Sequence, residues 1–230
     1  MRGPIDVVRR VMEVYEAIGE DYGLKRRRPW TQLLGHLDGL PRGSLVLDAG
    51  SGSGRHAEPL VERGVEVVCL DIASAPLKMA RAKGLAAVRG DMAHLPFKDS
   101  CFDAELCIAS LHHLPTRRLR VGALRELLRA LREGGLAVVS VWSRRQLSMV
   151  GRLLRGLLAV VRGRLFEYGD VEVPWRLRGR PYLRYYHLYT GTELRRDMEE
   201  AGFKVLSVYG FSPRRSLLPR NYVAVGVRGG

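Results

Sequence analysis

Apolar residues near the start of the chain recur every three or four positions: Val8, Val11, Met12, Tyr15 and Ile18 predict an amphipathic helix over residues 7–18. Lys25-Arg26-Arg27-Arg28-Pro29-Trp30 breaks the pattern with a dense basic turn, and Leu33, Leu34 and Leu37 resume helical spacing up to Pro41. From Ser44 the texture changes to short apolar runs alternating with helical patterns, which predicts a parallel sheet covered on both faces. Strands are expected at 45–48, 66–71, 86–89, 104–108 and 137–141, and helices at 55–63, 75–83 and 119–131, the last ending at Gly134-Gly135. An arginine-rich segment, 144–190, departs from this rhythm and reads as an insertion. Within it the stripe 149–161, with Leu153, Leu154, Leu157 and Leu158, predicts a helix turned toward the core, a membrane-surface anchor being the alternative. A helix at 193–201, a strand at 204–209, a proline-bearing turn at 213–219 and a strand at 222–227 close the chain. The expected fold is α/β, a doubly wound, mostly parallel seven-stranded sheet ending in an antiparallel hairpin. It reads as one domain, 1–230, with a helical cap (1–43), a core (44–143), the basic insert (144–190) and a return to the core (191–230).

Composition adds a partner class. The chain has 230 residues, 46 % hydrophobic and 27 % charged, which excludes wholesale disorder and fibrous repeats. Thirty-eight Lys and Arg against 24 Asp and Glu leave a net charge of +14, and only five of the basic residues are lysine. Arginine grips phosphate and carboxylate bidentately, so a polyanionic partner is expected; a bias of composition explains the same charge with no partner at all. Three cysteines without CxxC spacing support neither a disulfide framework nor a zinc knuckle, and point to a reducing, cytoplasmic setting. Charges interrupt the apolar positions of 1–20 and of 149–166, so neither a secretory signal nor a membrane span is expected.

Chemistry concentrates after the first strand. Asp48-Ala49-Gly50-Ser51-Gly52-Ser53-Gly54 places three glycines at alternate positions between a buried strand and a helix, bringing bare backbone toward a ligand, although a tight structural turn accounts for such a loop equally well. Asp71 ends the next strand, where an acidic side chain takes up ribose hydroxyls. Asp91 and Met92 follow the third, where a carboxylate and a thioether would flank an adenine; Asp91 also reads as a helix N-cap. A nicotinamide-dependent dehydrogenase would carry GxGxxG, a spacing these glycines do not supply.

This ensemble resembles the class I S-adenosylmethionine-dependent methyltransferases. Val14-Tyr15-Glu16-Ala17-Ile18 running to Arg28-Pro29-Trp30, Ile108-Ala109-Ser110-Leu111-His112-His113-Leu114, and Val173-Pro174-Trp175 followed by Arg184-Tyr185-Tyr186-His187-Leu188 are more restrictive. In this order they resemble the tRNA methyltransferases that esterify 5-carboxymethyluridine at wobble position 34. The usual cysteine and asparagine of that family's glycine loop are Ser51 and Ser53 here, a change that leaves the backbone amides in place.

The resemblance implies S-adenosylmethionine as cofactor, with residues 44–143 as its core and Asp48, Gly50, Ser51, Gly52, Gly54, Asp71, Ile72, Asp91, Met92 and Ala109 as its contacts. It implies a catalytic group of His113, Arg28 and Arg184, substrate contacts from Arg26, Arg27, Tyr186 and His187, and a substrate-recognition role for the insert. His112 reads as a packing histidine, and Arg184 reads equally as the partner of a structural carboxylate. The implied partners are the tRNA anticodon arm and a small zinc-binding activator protein at the exposed edge of strand 86–89; no membrane and no metal are expected. A small-molecule methyltransferase acting on a quinone or lipid precursor shares the same core motifs, and so does a non-catalytic RNA-binding module.

Overall fold

A computed structural model describes residues 3–230. In chain order its strands are β1 (Leu45–Ala49), β2 (Glu66–Asp71), β3 (Ala86–Arg89), β4 (Phe102–Ile108), β5 (Leu131–Trp142), β6 (Asp170–Leu177), β7 (Arg180–His187), β8 (Phe203–Phe211) and β9 (Asn221–Arg228). The helices are α1 (Pro4–Lys25), α2 (Thr31–Leu34), α3 (Ala57–Glu62), α4 (Ser74–Ala82), α5 (Arg117–Ala130), α6 (Val150–Val161) and α7 (Gly191–Ala201).

Seven strands form one sheet in the order β3-β2-β1-β4-β5-β9-β8. The first five are parallel, and β9 runs antiparallel between β5 and β8. Leu47 sits opposite Val68 on one side and Glu105 on the other, and Val46, Leu47, Asp48 and Ala49 are all buried. Helices on both faces remove the alternation of a half-exposed strand, which is why these segments read as unbroken apolar runs. One core layer gathers Leu47, Leu124, Leu127 and Met198, the other Leu34, Val46, Leu60 and Leu77. The terminal hairpin stands as expected, and β3 is an edge strand.

Several boundaries differ for identifiable reasons. α1 continues past Ile18 to Lys25 because Gly19 and Gly23 leave room for α4: a Cβ at Gly19 would meet Pro76 Cδ at 2.7 Å, and one at Gly23 would meet Met79 Sδ at 2.8 Å. α3 starts only at Ala57, Arg55 and His56 remaining in the turn after the glycine loop. α5 ends at Ala130, and Gly134, at φ +72°, lies within the opening stretch of β5.

The insert contributes a separate two-stranded sheet. β6 and β7 pair antiparallel, with Val171 and Val173 inward and Glu172 and Pro174 outward. Arg178 and Gly179, both at positive φ, form the two-residue turn that suits the twist of a hairpin. α6 lies against β6 at Gly156, where a Cβ would meet the Asp170 carbonyl oxygen at 2.1 Å. The expectation of a core-facing stripe on α6 is corrected: Gly156 is its buried residue, while Leu154, Leu157 and Leu158 are exposed. The hairpin docks on α1, where the Trp175 indole donates to Asp21 Oδ2 at 2.8 Å.

Candidate active site

The loop after β1 is shaped by its own backbone. Gly50 and Ser51 donate their N–H groups to the Leu70 carbonyl at 2.7 and 3.0 Å, and Gly52 donates to Asp71 Oδ2 at 2.9 Å. Gly50 has φ +75°, and a Cβ there would meet Ser110 Oγ at 2.3 Å, so only glycine fits. At Gly52 a Cβ would meet nothing within 4 Å, leaving bare main chain toward open space.

That space is a cavity of about 1020 Å³, its mouth included, at the carboxyl ends of the parallel strands, where open α/β sheets bind ligands. Gly50, Ser51, Gly52, Asp71, Ile72, Asp91, Met92 and Ala109 all line it. Asp48 and Gly54, grouped with them from sequence, do not. Asp48 is buried behind the loop with Oδ2 unpartnered, and Gly54 faces Leu85, Ala80 and Cys69. Burial pushes the Asp48 carboxyl up to about 7, the Arg55 charge opposing it and Asp71 adding to it. Burial likewise raises Asp71 to about 6, against the pull of N–H bonds from Ala73 and Gly52.

His113 faces the same cavity from the turn after β4. Its Nδ1 lies 2.8 Å from the Tyr185 carbonyl, which can only accept, so Nδ1 carries the proton and Nε2 accepts from the Tyr15 hydroxyl at 3.0 Å. Burial, reinforced by the Arg184 charge, pushes the imidazole down to about 3, so it is neutral at physiological pH. His112 is fully buried, its Nδ1 accepting from the Trp142 amide at 3.0 Å.

The remaining substrate candidates separate. Arg26 lines the cavity. Arg27 and Arg28 are exposed and outside its wall. Arg55 occupies the position expected of Arg28: it lines the cavity, its Nη1 donates to the Arg26 and Arg28 carbonyls at 3.4 and 3.5 Å, and its guanidinium lies over Trp30. Tyr186 is buried and stacked on Trp142 with ring centroids 4.3 Å apart, and it touches His113 at 4.5 Å. With no free face it props the histidine instead of stacking a base. His187 is corrected too: it is fully buried, with Nδ1 2.7 Å from Asp170 and Nε2 2.8 Å from Glu193. Arg120 on Glu167 and Arg144 on Glu193 close that network.

Arg184 stands one aromatic layer behind the cavity. It is 4 % exposed, its Nε has no partner, and among the described residues it forms no ion pair. Its guanidinium is boxed by Trp175, Tyr186 and Tyr22 at 5.0, 5.3 and 5.7 Å from the ring centroids. Tyr15 and Tyr22, which line the cavity from α1, were not singled out as site residues from sequence, nor was Arg55. Tyr15 lies in a segment that carries the family resemblance, and Arg55 directly follows the glycine loop.

A family model described as a methyltransferase domain matches residues 47–139. A methyltransferase-named protein of Encephalitozoon cuniculi is 36 % identical over 86 % of this chain and 89 % of its own length. A Schizosaccharomyces pombe protein named tRNA (carboxymethyluridine(34)-5-O)-methyltransferase is 32 % identical over 85 % of this chain and 89 % of its own. The chain belongs to the methyltransferases. Its relatives include the tRNA carboxymethyluridine methyltransferases, although it spans only 33 % of the Arabidopsis thaliana one. Two solved structures share the fold. A Methanosarcina mazei S-adenosylmethionine-dependent methyltransferase superposes with TM-score 0.74 at 18 % identity, covering 88 % of this chain and 99 % of that one. A Haloferax volcanii methyltransferase in complex with a Trm112 activator gives 0.69 at 17 % identity, covering 96 % and 98 %.

The residues present suit S-adenosylmethionine, the cofactor that the sequence resemblance implies. The glycine loop admits no Cβ at Gly50 and presents open main chain at Gly52, while two carboxylates and a thioether line the same cavity.

Proposed function

We propose that this methyltransferase esterifies the carboxylate of 5-carboxymethyluridine at wobble position 34 of tRNA. The observation that carries the reading is Arg184. A buried guanidinium without a carboxylate partner is costly, and it lies beside the cofactor cavity, where an anionic substrate group would supply the missing charge. The likeness to the fission yeast tRNA (carboxymethyluridine(34)-5-O)-methyltransferase supports the substrate, and the +14 charge suits a phosphate-rich partner.

Asp71 and Ile72 hold the ribose end of the cofactor, Asp91 and Met92 the adenine, and the loop Gly50–Gly52 with Ala109 the amino-acid end. Asp48 and Gly54 keep the loop's shape from behind. Bound S-adenosylmethionine supplies an electrophilic methyl group on a sulfonium sulfur. The carboxylate oxygen to be methylated is already anionic, so no side chain of this site would have to remove a proton from it. From one aromatic layer behind the cavity, the Arg184 charge favours the anionic carboxylate without pairing with it, so its oxygens stay free to attack; positioning is the main lever. The neutral His113, held between Tyr15 and the Tyr185 carbonyl, borders the reacting groups without quenching the anion. Arg26, Arg27 and Arg28, on the exposed turn, meet the RNA backbone. The β6–β7 hairpin of the insert brings Arg184 to the site and is its substrate-recognition part. A zinc-binding activator pairs along the free edge of β3, a site suited to β-addition; the Haloferax complex supports an activator as partner.

The test is transfer of radiolabelled methyl to bulk tRNA, with and without the activator, followed by nucleoside analysis. A base-labile ester at the wobble uridine is expected. Cofactor binding with no labelled RNA under either condition overturns the reading in favour of a small-molecule substrate.

A further inference from the structure

The face of α6 left uncovered has a chemistry of its own. Leu147, Val150, Leu154, Leu157, Leu158 and Val161 are each exposed, from 43 % at Leu157 to 78 % at Val161. At roughly 100° per residue, Val150, Leu154, Leu157, Leu158 and Val161 fall on a single arc, and Gly156, seated against β6, faces the opposite way. Arg155 and Arg162 border the arc on its outer side with Arg152 beyond, and Arg145 and Arg164 stand at the two ends. No acidic residue occurs between 145 and 166.

We propose that α6 is a membrane-surface helix, its leucine face seated in the head-group region of an anionic bilayer and its arginines on the lipid phosphates. Two features select this occupant. The apolar strip is convex and one helix wide, so it offers no groove for a partner element, whereas a planar interface needs no shape match. Leucines edged by arginines alone are the composition with which amphipathic helices lie in the plane of anionic membranes. RNA would use the arginines and leave six large apolar side chains in water, where contiguous exposed patches of this kind are uncommon. Among the described residues no helix is long and apolar enough to cross a membrane, so the contact is peripheral. The inference is independent of the methyl-transfer reading, since no residue of the cofactor cavity lies on α6.

Flotation of the full chain with vesicles tests it, using phosphatidylcholine alone and phosphatidylcholine with phosphatidylglycerol as about one lipid in three. Binding is expected to the anionic vesicles only and to weaken with salt. The double variant Leu154→Gln/Leu158→Gln should lose at least about tenfold in vesicle affinity, and Arg155→Gln/Arg162→Gln should lose the preference for anionic lipid. Both pairs are exposed, and an unchanged melting temperature and unchanged cofactor affinity show that the fold persists. Failure to float with either vesicle, or flotation that the leucine variant does not weaken, overturns the proposal. So does a dimer in sedimentation that the leucine variant dissolves without any vesicle binding, or a loss confined to tRNA affinity in the arginine variant.

Discussion

Replacing Arg184 with methionine separates the demands of the fold from those of the proposed chemistry. The guanidinium is 4 % exposed and unpaired, and three rings at 5.0, 5.3 and 5.7 Å stand in for lost hydration. At about 1 kcal/mol each, those contacts return about 3 kcal/mol. Burying an ion costs several kcal/mol, so the cation contributes little to the free fold or is a net cost to it. Methionine keeps an apolar stem and adapts to irregular space. Arg184→Met should therefore leave the unfolding free energy unchanged or raise it by up to about 2 kcal/mol, a Tm gain of up to about 8 °C for a chain of this size. Urea unfolding and thermal scans read this directly. Transfer behaves oppositely: losing a cation that acts across one aromatic layer costs about 1–2 kcal/mol, a fall of up to about thirtyfold in rate, with cofactor affinity unchanged by calorimetry. A stability loss above about 3 kcal/mol, the cost of breaking a buried ion pair, would refute the reasoning by showing that Arg184 holds a structural anion. Undiminished transfer would refute it equally.

Gly50→Ala should abolish cofactor binding in calorimetry, because φ +75° and the 2.3 Å approach to Ser110 Oγ leave no place for a methyl group; retained binding would show that the loop re-forms elsewhere. Asp71→Ala should also lose cofactor affinity, in contrast to Arg184→Met, and equal losses in the two would contradict the division of the site. His113 is held down at about 3 against an ordinary 6.5, so the unfolded chain takes up its proton first. Stability is then full above pH 6.5 and falls as pH drops from there toward 3; His113→Gln should flatten that slope in urea titrations at successive pH values, and an unaltered slope would assign it to other groups. Gly156→Ala forces a Cβ against the Asp170 carbonyl at 2.1 Å and should cost about 1–3 kcal/mol. Hydrogen exchange should locate that loss in α6 and β6, and protection equal to the parent protein would show that α6 can shift without penalty.

Burial on both faces is what made the core readable. β2 occupies the stretch expected of it because a parallel inner strand is a short apolar run bounded by polar turns. The β6–β7 hairpin was hidden by the same rule: only every second residue of β6 faces inward, and the outward positions carry Glu172, Pro174 and Arg176, a proline among charges that reads as loop. The apolar spacing predicts α1 only as far as Ile18, whereas Gly19 and Gly23 continue the helix and admit α4. The cofactor wall was largely legible, since acidic residues at consecutive strand ends become neighbours once the strands are parallel. The substrate side was not, because Tyr15 and Arg184 meet only through the docking of α1 on β7.

Arginine shows the limit most sharply. The basic turn drew attention to Arg26, Arg27 and Arg28, yet their side chains are exposed, while Arg120 and Arg184 are buried. Those two are alike in sequence terms, each an arginine among apolar neighbours. Arg120 meets Glu167 at 2.6 Å and has its counter-charge, although its Nε, like that of Arg184, has no partner. Arg184 meets aromatic side chains and no carboxylate, one layer behind an open cavity. What distinguishes an arginine that completes a fold from one that awaits a substrate is the presence of a counter-charge, and only the assembled chain decides which of the two has one.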